Sequence, residues 1–547
     1  MKKKYFTYAL VFFMMLSMLK VKAYAYSSVY YNNQIIKVGL ESMKNSSALT
    51  AAVTGDYTLN GSLVKDGTSI SLGIVNGRVS ADGTVYDTIS LIPAGSDSFL
   101  TLKSGNISRN YYGSMLFKIK SGFIYPINTV NIEDYVKGVI GYEMSDSFPM
   151  EALKAQAVAS RTYGIYKIKA GSEFDVDDTT TYQVYKGFNK SFINVPQAVE
   201  ATKGEILFYN GYVLSNALFS ADNGGYTEDA ANVWGNPVSY LQAKKDDFDD
   251  YTRYSNSKNY DWLVTYTNQQ LTDILNSKLL TSGNSFVSIN TSTIAFYISG
   301  RVSNLEINYL DSTGTVQTMA LSKNSARTFF GLKSAMYTVT YNEEAGTYAF
   351  NGHGNGHGLG MSQIGAVNRA QAGQTYVDIL AFYYDGATVE NRMAGIAASA
   401  LNKSNVLTGE EVTATIQGQG GSGPDYLYKY ELQKDGQTIA LQDYSATSTY
   451  SYTPDNKGSY TLTVYLKDKL SSNLYDDKVS LNFNVTGFAD INLDNIVDIY
   501  DLVDISRNFD SNKDSSSNWD GKMDLNNDGV IDIFDLSKAS EAYNTRY

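Results

Sequence analysis

The sequence predicts an α+β fold rich in β-structure: a large mixed domain, then a β-sandwich, then a small helical module. Three patterns predict it. Residues 26–130 alternate apolar and polar side chains between Gly, Asn and Asp turns, which reads as short strands. From Pro149 to about Ala170 the chain changes to an Ala-, Leu-, Lys- and Gln-rich helical run. Beyond residue 400 a Tyr- and Thr-rich alternation leads into an acidic tail that repeats itself. A length of 547 residues suits three or four such domains.

The elements follow in chain order. Met1-Lys2-Lys3-Lys4, an apolar run from Tyr5 to Leu19 and then Ala23-Tyr24-Ala25 form a basic region, an apolar region and a cleavage pattern, so residues 1–25 read as a secretory signal peptide. Lys20 and Lys22 fall in the cleavage region. A retained membrane anchor is the alternative, although the apolar run is short for a full span. Within 26–130, Ser69–Val75 and Ser114–Ile119 carry the clearest strand alternation. Pro149 suits a first helical turn, where its missing N–H costs nothing. Residues 171–345 read as mixed, with a helix near Asn268–Lys278 and strands around Gly300–Asn308. Gly365–Tyr384 reads as one helix, with Ala366, Ala370 and Ile379 among its small and apolar positions. Residues 403–486 alternate strongly, as in Tyr426–Leu432 and Tyr460–Tyr465, with turns at Asp435-Gly436 and Asn456-Lys457-Gly458; this is the predicted sandwich, read as a spacer.

Composition excludes several functions. There is no cysteine, so disulfides, thiol catalysis and thiolate-zinc sites are excluded. A net charge of −12 argues against nucleic acid as a partner. Residues 488–547 carry thirteen acidic and five basic side chains, which leaves the rest of the chain near neutral and able to meet an anionic polymer.

Two stretches carry the chemistry. Gly352-His353-Gly354-Asn355-Gly356-His357-Gly358-Leu359-Gly360-Met361-Ser362-Gln363 holds both histidines of the chain among five glycines in nine residues. Glycine reaches backbone conformations closed to other residues and allows close approach, so this reads as a shaped loop beside a site. The other stretch runs Val130-Asn131-Ile132-Glu133-Asp134-Tyr135-Val136-Lys137-Gly138-Val139-Ile140-Gly141-Tyr142-Glu143-Met144, followed by Pro149-Met150-Glu151-Ala152-Leu153-Lys154-Ala155-Gln156-Ala157-Val158-Ala159-Ser160-Arg161. Glu143 sits in an apolar, Gly-rich setting, where burial would raise its pKa toward the range a general acid needs. Lys154 and Arg161, seven residues apart, share a face of the predicted helix.

Together these stretches resemble the SpoIID/LytB family, and the resemblance continues through Asn223-Gly224-Gly225, Trp234, Ser299-Gly300-Arg301-Val302, Arg327–Leu332 and Ile379–Gly386. It covers roughly residues 34–392 and defines a domain at 26–395, with a β-rich part at 26–130 and a core at 131–392. The resemblance implies a lytic transglycosylase acting on peptide-stripped peptidoglycan glycan strands, with Glu143 as catalytic residue. It places Lys154 and Arg161 at the site, where the exposed lactyl carboxylate of muramic acid is a fitting bidentate partner for arginine. Gln156, His353, His357, Ser362 and Gln363 complete the expected substrate-binding set. The LytB branch, associated with enhancing a wall amidase, implies a non-catalytic alternative, and a structural wall or extracellular-complex component is a further one. Some members carry zinc through one His and two Cys after this helix; residues 178–187 hold neither, so no zinc is expected.

The tail is read from its own repeat. Asp490-Ile491-Asn492-Leu493-Asp494-Asn495-Ile496-Val497-Asp498-Ile499-Tyr500-Asp501 returns 34 residues later as Asp524-Leu525-Asn526-Asn527-Asp528-Gly529-Val530-Ile531-Asp532-Ile533-Phe534-Asp535. Both copies place Asp, Asn, Asp, Asp and Asp at loop positions 1, 3, 5, 9 and 12, which suits Ca2+, a hard cation wanting six to eight oxygens. Residues 488–547 resemble the dockerin module, which implies calcium binding and a docking partner. Ile499-Tyr500 and Ile533-Phe534 stand where dockerins use Ser or Thr for cohesin, so the partner is cohesin-like or of another kind. The whole predicts a secreted, wall-associated protein, anchored if the signal stays uncleaved.

Overall fold

The computed structural model describes residues 35–546 apart from 96, 170, 250–259, 392–393, 422–424, 470 and 472–473; the predicted signal peptide lies outside the described residues. The chain divides into two compact units at Asn391 and Arg392.

In the first unit the early alternation forms two sheets. One has seven strands, ordered Val176–Asp177, Ile35–Gly39, Phe123–Asn131, Ser114–Lys120, Ile89–Pro93, Tyr57–Leu59 and Ser62–Val64. The other has six, ordered Ile107–Tyr112, Phe99–Ser104, Ala48–Thr54, Ser69–Val75, Arg78–Ala81 and Thr84–Tyr86. Period-two burial holds them: Leu49, Ala51 and Val53 point inward from one strand while their neighbours are wetter.

The strand Phe123–Asn131 runs directly into a helix, Ile132–Glu143, which the sequence reading does not assign. Its start is well specified. The Asn131 side chain accepts from the Asp134 N–H, and Glu133 and Asp134 place negative charge in the first turn. Its glycines have a packing reason: a Cβ at Gly138 would strike the Tyr185 ring, and one at Gly141 the Phe192 ring. The segment 185–192 therefore lies flush on this helix.

The predicted helix from Pro149 is realised as Met150–Lys167, with Pro149 as its N-cap. It is buried on nearly every face, with Ala152, Ala155, Ala157 and Ala159 fully enclosed. Such a helix belongs in a core, and its small side chains let the Ile132 helix, Asn194–Ala201, Gln363–Gln371 and Tyr376–Tyr383 pack around it. The single helix expected over Gly365–Tyr384 is two. Gly373, at φ +88°, ends the first, and Thr375 opens the second through a capping box with Asp378. A further body of strands, Asp261–Thr267, Thr347–His353 and Tyr337–Asn342, together with Val302–Leu310 and its neighbours, packs with the helix Asn268–Leu279 around Trp262, Leu305, Phe330 and Phe350.

In the second unit Gly395–Leu401, Val412–Gln419 and Thr449–Tyr452 form one sheet. Asn405–Leu407, Asp477–Thr486, Gly458–Asp468, Tyr426–Lys434 and Gln437–Ser445 form another. Val412, Ala414 and Ile416 from the first meet Tyr430, Leu462, Val464 and Phe483 from the second in one core. The tail carries two helices, Ile499–Arg507 and Ile533–Glu541, over a small core of Val497, Ile505, Leu525, Ile531 and Ala539.

Candidate active site

Glu143 is the last residue of the Ile132 helix. The backbone N–H of Val184 donates to its Oε1 at 2.8 Å. Burial pushes its pKa above the ordinary glutamate range, against the hydrogen bonds from Val184 and the Gln363 side chain and the positive charge of Lys186. Burial wins, so the carboxyl group keeps its proton to a higher pH than a free glutamic acid.

The glycine loop reaches the same neighbourhood from the far end of the domain. Gly354, Gly356, Gly358 and Gly360 all have positive φ, between +68° and +122°. Close approach adds to this: a Cβ at Gly356 would meet Ser220, at Gly358 the Arg301 guanidinium, and at Gly360 the Leu218 carbonyl. The loop delivers Met361–Ser362 as a short strand parallel to Phe219–Ser220. Ser362 then caps the next helix, its Oγ accepting from the Gly365 N–H, and Gln363 is placed over Glu143.

His357 and Gln183 both line a cleft of about 260 Å³, with Tyr163, Lys167, Tyr182, Asn216 and Trp234 among its other walls. Gln183 directly precedes Val184, so the hydrogen bond to Glu143 is made by the residue next to the cleft wall. Burial, helped by the charges of Arg327 and Arg301, pulls the pKa of His357 down to about 4. Its Nδ1 accepts from the Leu359 N–H at 2.9 Å, which places the proton of the neutral ring on Nε2 as a hydrogen-bond donor.

Behind the loop lies a polar core that sequence reading missed. Ser362 Oγ donates to Asp249 at 2.7 Å, and the Asn223 N–H donates to the same carboxylate oxygen at 2.6 Å. Burial, with Asp222 and Asp246 nearby, pushes Asp249 well above the usual carboxylate range. Asp246 accepts from Arg369, Asn223 and Tyr383, and Arg301 donates to the Tyr226 and Asn223 carbonyls. The Asn223-Gly224-Gly225 and Ser299–Val302 pieces marked these positions, but nothing in them named Asp246 or Asp249 as partners.

Several expected substrate contacts are placed elsewhere. Arg161 is fully buried and donates to Glu133 through both Nε and Nη2, the shortest bond at 2.6 Å, and to the Val199 and Glu205 carbonyls. It joins its own helix to three other elements and is not among the residues lining the cleft. Lys154 pairs with Glu151 at 2.7 Å and lies over the Tyr376 ring. Gln156 and Ser362 are fully enclosed. Gln156 donates to Ser160 at 2.9 Å and accepts from Gln363 at 3.4 Å, so it stands behind the side chain that bonds Glu143. His353 stands on the strand Thr347–His353, half-exposed and paired with Asp261 at 2.6 Å, away from the cleft walls. For Lys154 and Arg161 the physical reason is that helical spacing shows which residues share a face, not what covers it; His353 and Ser362 came from the glycine loop, whose path the sequence does not fix.

In the tail the two repeats share most of their hydrogen bonds, but the Asp528 N–H donates to Asp524 at 3.1 Å while the equivalent Asp490 oxygen receives none. Asp501 accepts from the Ile491, Asn492 and Asp498 N–H groups, and Asp535 from those of Leu525, Asn526 and Asp532. Asp494 and Asp528 each receive the N–H two residues on, and Asp498 and Asp532 cap the two helices. Asn495 at φ +78° takes the left-handed place that Gly529 holds at φ +89°. Asp490 Oδ1 is buried with no hydrogen-bond partner. Among the described residues no three His, Cys, Asp or Glu side chains converge on one metal position, and the loops' remaining oxygens come from Asn492, Asn526 and carbonyls.

Residues 120–209 match the model described as stage II sporulation protein. Residues 236–360 match a domain of unknown function, DUF8618, and residues 420–486 match the Y_Y_Y domain. The chain is 38% identical over 283 residues to an uncharacterised protein of Brachyspira hyodysenteriae, covering 51% of this chain and 72% of that one. It is 31% identical over 280 residues to stage II sporulation protein D of Bacillus subtilis, covering 48% of this chain and 75% of that one. It is 36% identical over 297 residues to the amidase enhancer of the same organism, but spans only 40% of that protein's length.

Proposed function

We propose that this chain, which belongs to the stage II sporulation protein D family, is an exported lytic transglycosylase that cuts peptide-stripped peptidoglycan glycan strands. The observation that carries the reading is Glu143: a carboxyl group with a raised pKa, held by Val184 and Gln363 one residue behind a cleft. Glu143 protonates the glycosidic oxygen between N-acetylmuramic acid and N-acetylglucosamine, and the C1–O bond breaks. The carboxylate left behind takes the proton of the muramic C6 hydroxyl as that oxygen bonds to C1. The product is a 1,6-anhydro sugar, and the acid is restored. A single carboxyl group suffices because the nucleophile belongs to the substrate, whereas most glycosidases need a pair. Neutral His357, with Nε2–H free to donate, suits a sugar hydroxyl at the cleft.

The test is digestion of amidase-treated peptidoglycan with products read by mass spectrometry. Anhydro-muramyl ends that vanish in Glu143→Gln are expected. No new glycan ends under any condition would overturn the enzymatic reading. The amidase-enhancer relative favours a second reading, glycan binding that stimulates an amidase without cutting. It predicts no anhydro ends but faster amidase turnover.

Asp490, Asn492, Asp494, Asp498 and Asp501 would hold one Ca2+, and Asp524, Asn526, Asp528, Asp532 and Asp535 another; bound calcium would neutralise the clustered charge and staple each loop. The orphaned Asp490 Oδ1 supports a cation there. Exposed Ile499, Tyr500, Ile533 and Phe534 at equivalent positions of the two repeats support a docking partner for the tail, cohesin-like or otherwise.

A further inference from the structure

The cleft lined by Gln183 and His357 has a chemistry of its own. Trp234, the last residue of the helix Ala230–Trp234, leaves 42% of its surface exposed on the cleft wall. An indole held half in solvent offers a flat apolar face, which matches the C–H face of a pyranose ring. Tyr163 and Tyr182 line the same space.

Lys167 ends the Met150 helix and also lines the cleft. Its ammonium lies 4.9 Å from the Tyr163 ring centre and 5.7 Å from that of Tyr166. No carboxylate pairs with it among the described residues, and it is only partly exposed. A half-enclosed ammonium without a counter-charge is costly, and an incoming anion removes that cost. The contrast with the two cations on the same helix decides the matter: Lys154 is paired with Glu151 and Arg161 with Glu133. Asn216 and the neutral His357 add uncharged polar groups to the same walls.

We propose that this cleft is a subsite for a carboxylate-bearing amino sugar, with the Lys167 ammonium receiving the lactyl carboxylate of a denuded muramic acid and Trp234 stacking on a sugar ring of the strand. The assignment rests on the glycan reading of the Glu143 site and shifts the charge recognition from Lys154 and Arg161 to Lys167.

The experiment measures binding in the Glu143→Gln background, so turnover does not intervene. Its probes are denuded glycan strands from amidase-treated peptidoglycan and chitohexaose, which shares the β-1,4 amino-sugar backbone but lacks the carboxylate. Lys167→Gln is expected to weaken denuded-strand binding about tenfold while leaving chitohexaose unchanged, and Lys167→Arg to restore the preference. Trp234→Ala is expected to weaken both probes and Trp234→Phe to retain part of the affinity. Thermal melts of each variant separate a lost contact from a lost fold, and the Arg and Phe variants keep the question answerable if the others melt early. A preference for denuded strands that survives Lys167→Gln, or no binding of denuded strands at all, would overturn the subsite. Cleavage is scored separately with the Glu143 enzyme: absent anhydro ends with an intact Lys167 effect would sink the enzymatic reading and leave the subsite standing.

Discussion

The backbone N–H of Val184 donates to the Glu143 carboxylate at 2.8 Å across 41 residues of chain. The bond joins the end of a helix to the wall of a cleft, because Gln183, the residue before Val184, lines that cleft. It holds the proposed acid in place while leaving burial to set its affinity for the proton. The close fit of Gly138 on Tyr185 and Gly141 on Phe192 is what keeps this segment on the helix.

On the proposed transglycosylase reading, Glu143→Gln is expected to abolish anhydro-sugar formation and, at neutral pH, to raise the melting temperature. A carboxyl whose folded pKa is raised contributes its stability in full below the unfolded value and loses it as pH rises through the folded pKa. Glutamine does not titrate, so the advantage of the variant grows from acid to neutral pH. Melting curves from pH 4 to 8 read this directly; a difference that stays constant with pH contradicts it.

Gln363→Ala shifts the alkaline limb of the pH–rate profile upward. The Gln363 hydrogen bond lowers the pKa of Glu143, so its loss lets burial raise the acid further. The rate falls at the same time because the carboxyl is less well oriented. An unchanged alkaline limb would remove Gln363 from the site.

His357 makes the first unit acid-sensitive. Its pKa is about 4 when folded and near 6.5 when unfolded, so the unfolded state takes up the proton first. Stability is complete above pH 6.5 and declines as pH falls to 4, by up to about 3 kcal/mol. Urea unfolding at pH 7 and pH 4.5 measures the loss, and His357→Gln should flatten it.

Arg161→Ala destabilises by about 3 kcal/mol because it leaves Glu133 facing a buried void without its partner. Lys154→Ala, at a partly exposed pair one helical turn apart, costs no more than about 0.5 kcal/mol. Urea midpoints rank them. Equal effects would mean that Arg161 is not the structural cation its contacts describe.

If the two loops hold Ca2+ as proposed, calcium at about 100 times its dissociation constant is expected to stabilise the tail by about 2.7 kcal/mol per loop. Calorimetry of the full chain in calcium and in EDTA should show one transition moving and the others still. Asp535→Ala, which removes three accepted N–H bonds, should abolish the response of its own loop.

Local pattern carried the sequence reading far. Ser69–Val75 and Asn268–Leu279 form as their periodicity predicts, and the tail repeats its hydrogen bonds because each loop closes on itself within twelve residues. The reading failed where distant chain decides. Gly373 broke a helix that apolar spacing carried through. Arg161 was placed on the right helix and assigned the wrong neighbour, since Glu133 comes from another element. Lys167 and Gln183 carried no motif at all.

By itself the sequence determined the periods of its elements, the register of the paired acidic loops and the gathering of both imidazoles in a glycine loop, because these are set within a few residues of backbone; Glu143 was singled out by the family resemblance of its stretch. Only the tertiary structure decided that Lys154 and Arg161 are paired while Lys167 lines the cleft with no carboxylate partner among the described residues, and that Glu143 holds its proton to higher pH than a free glutamic acid. Those depend on burial and on charges brought in from far along the chain, and spacing in one dimension does not encode them.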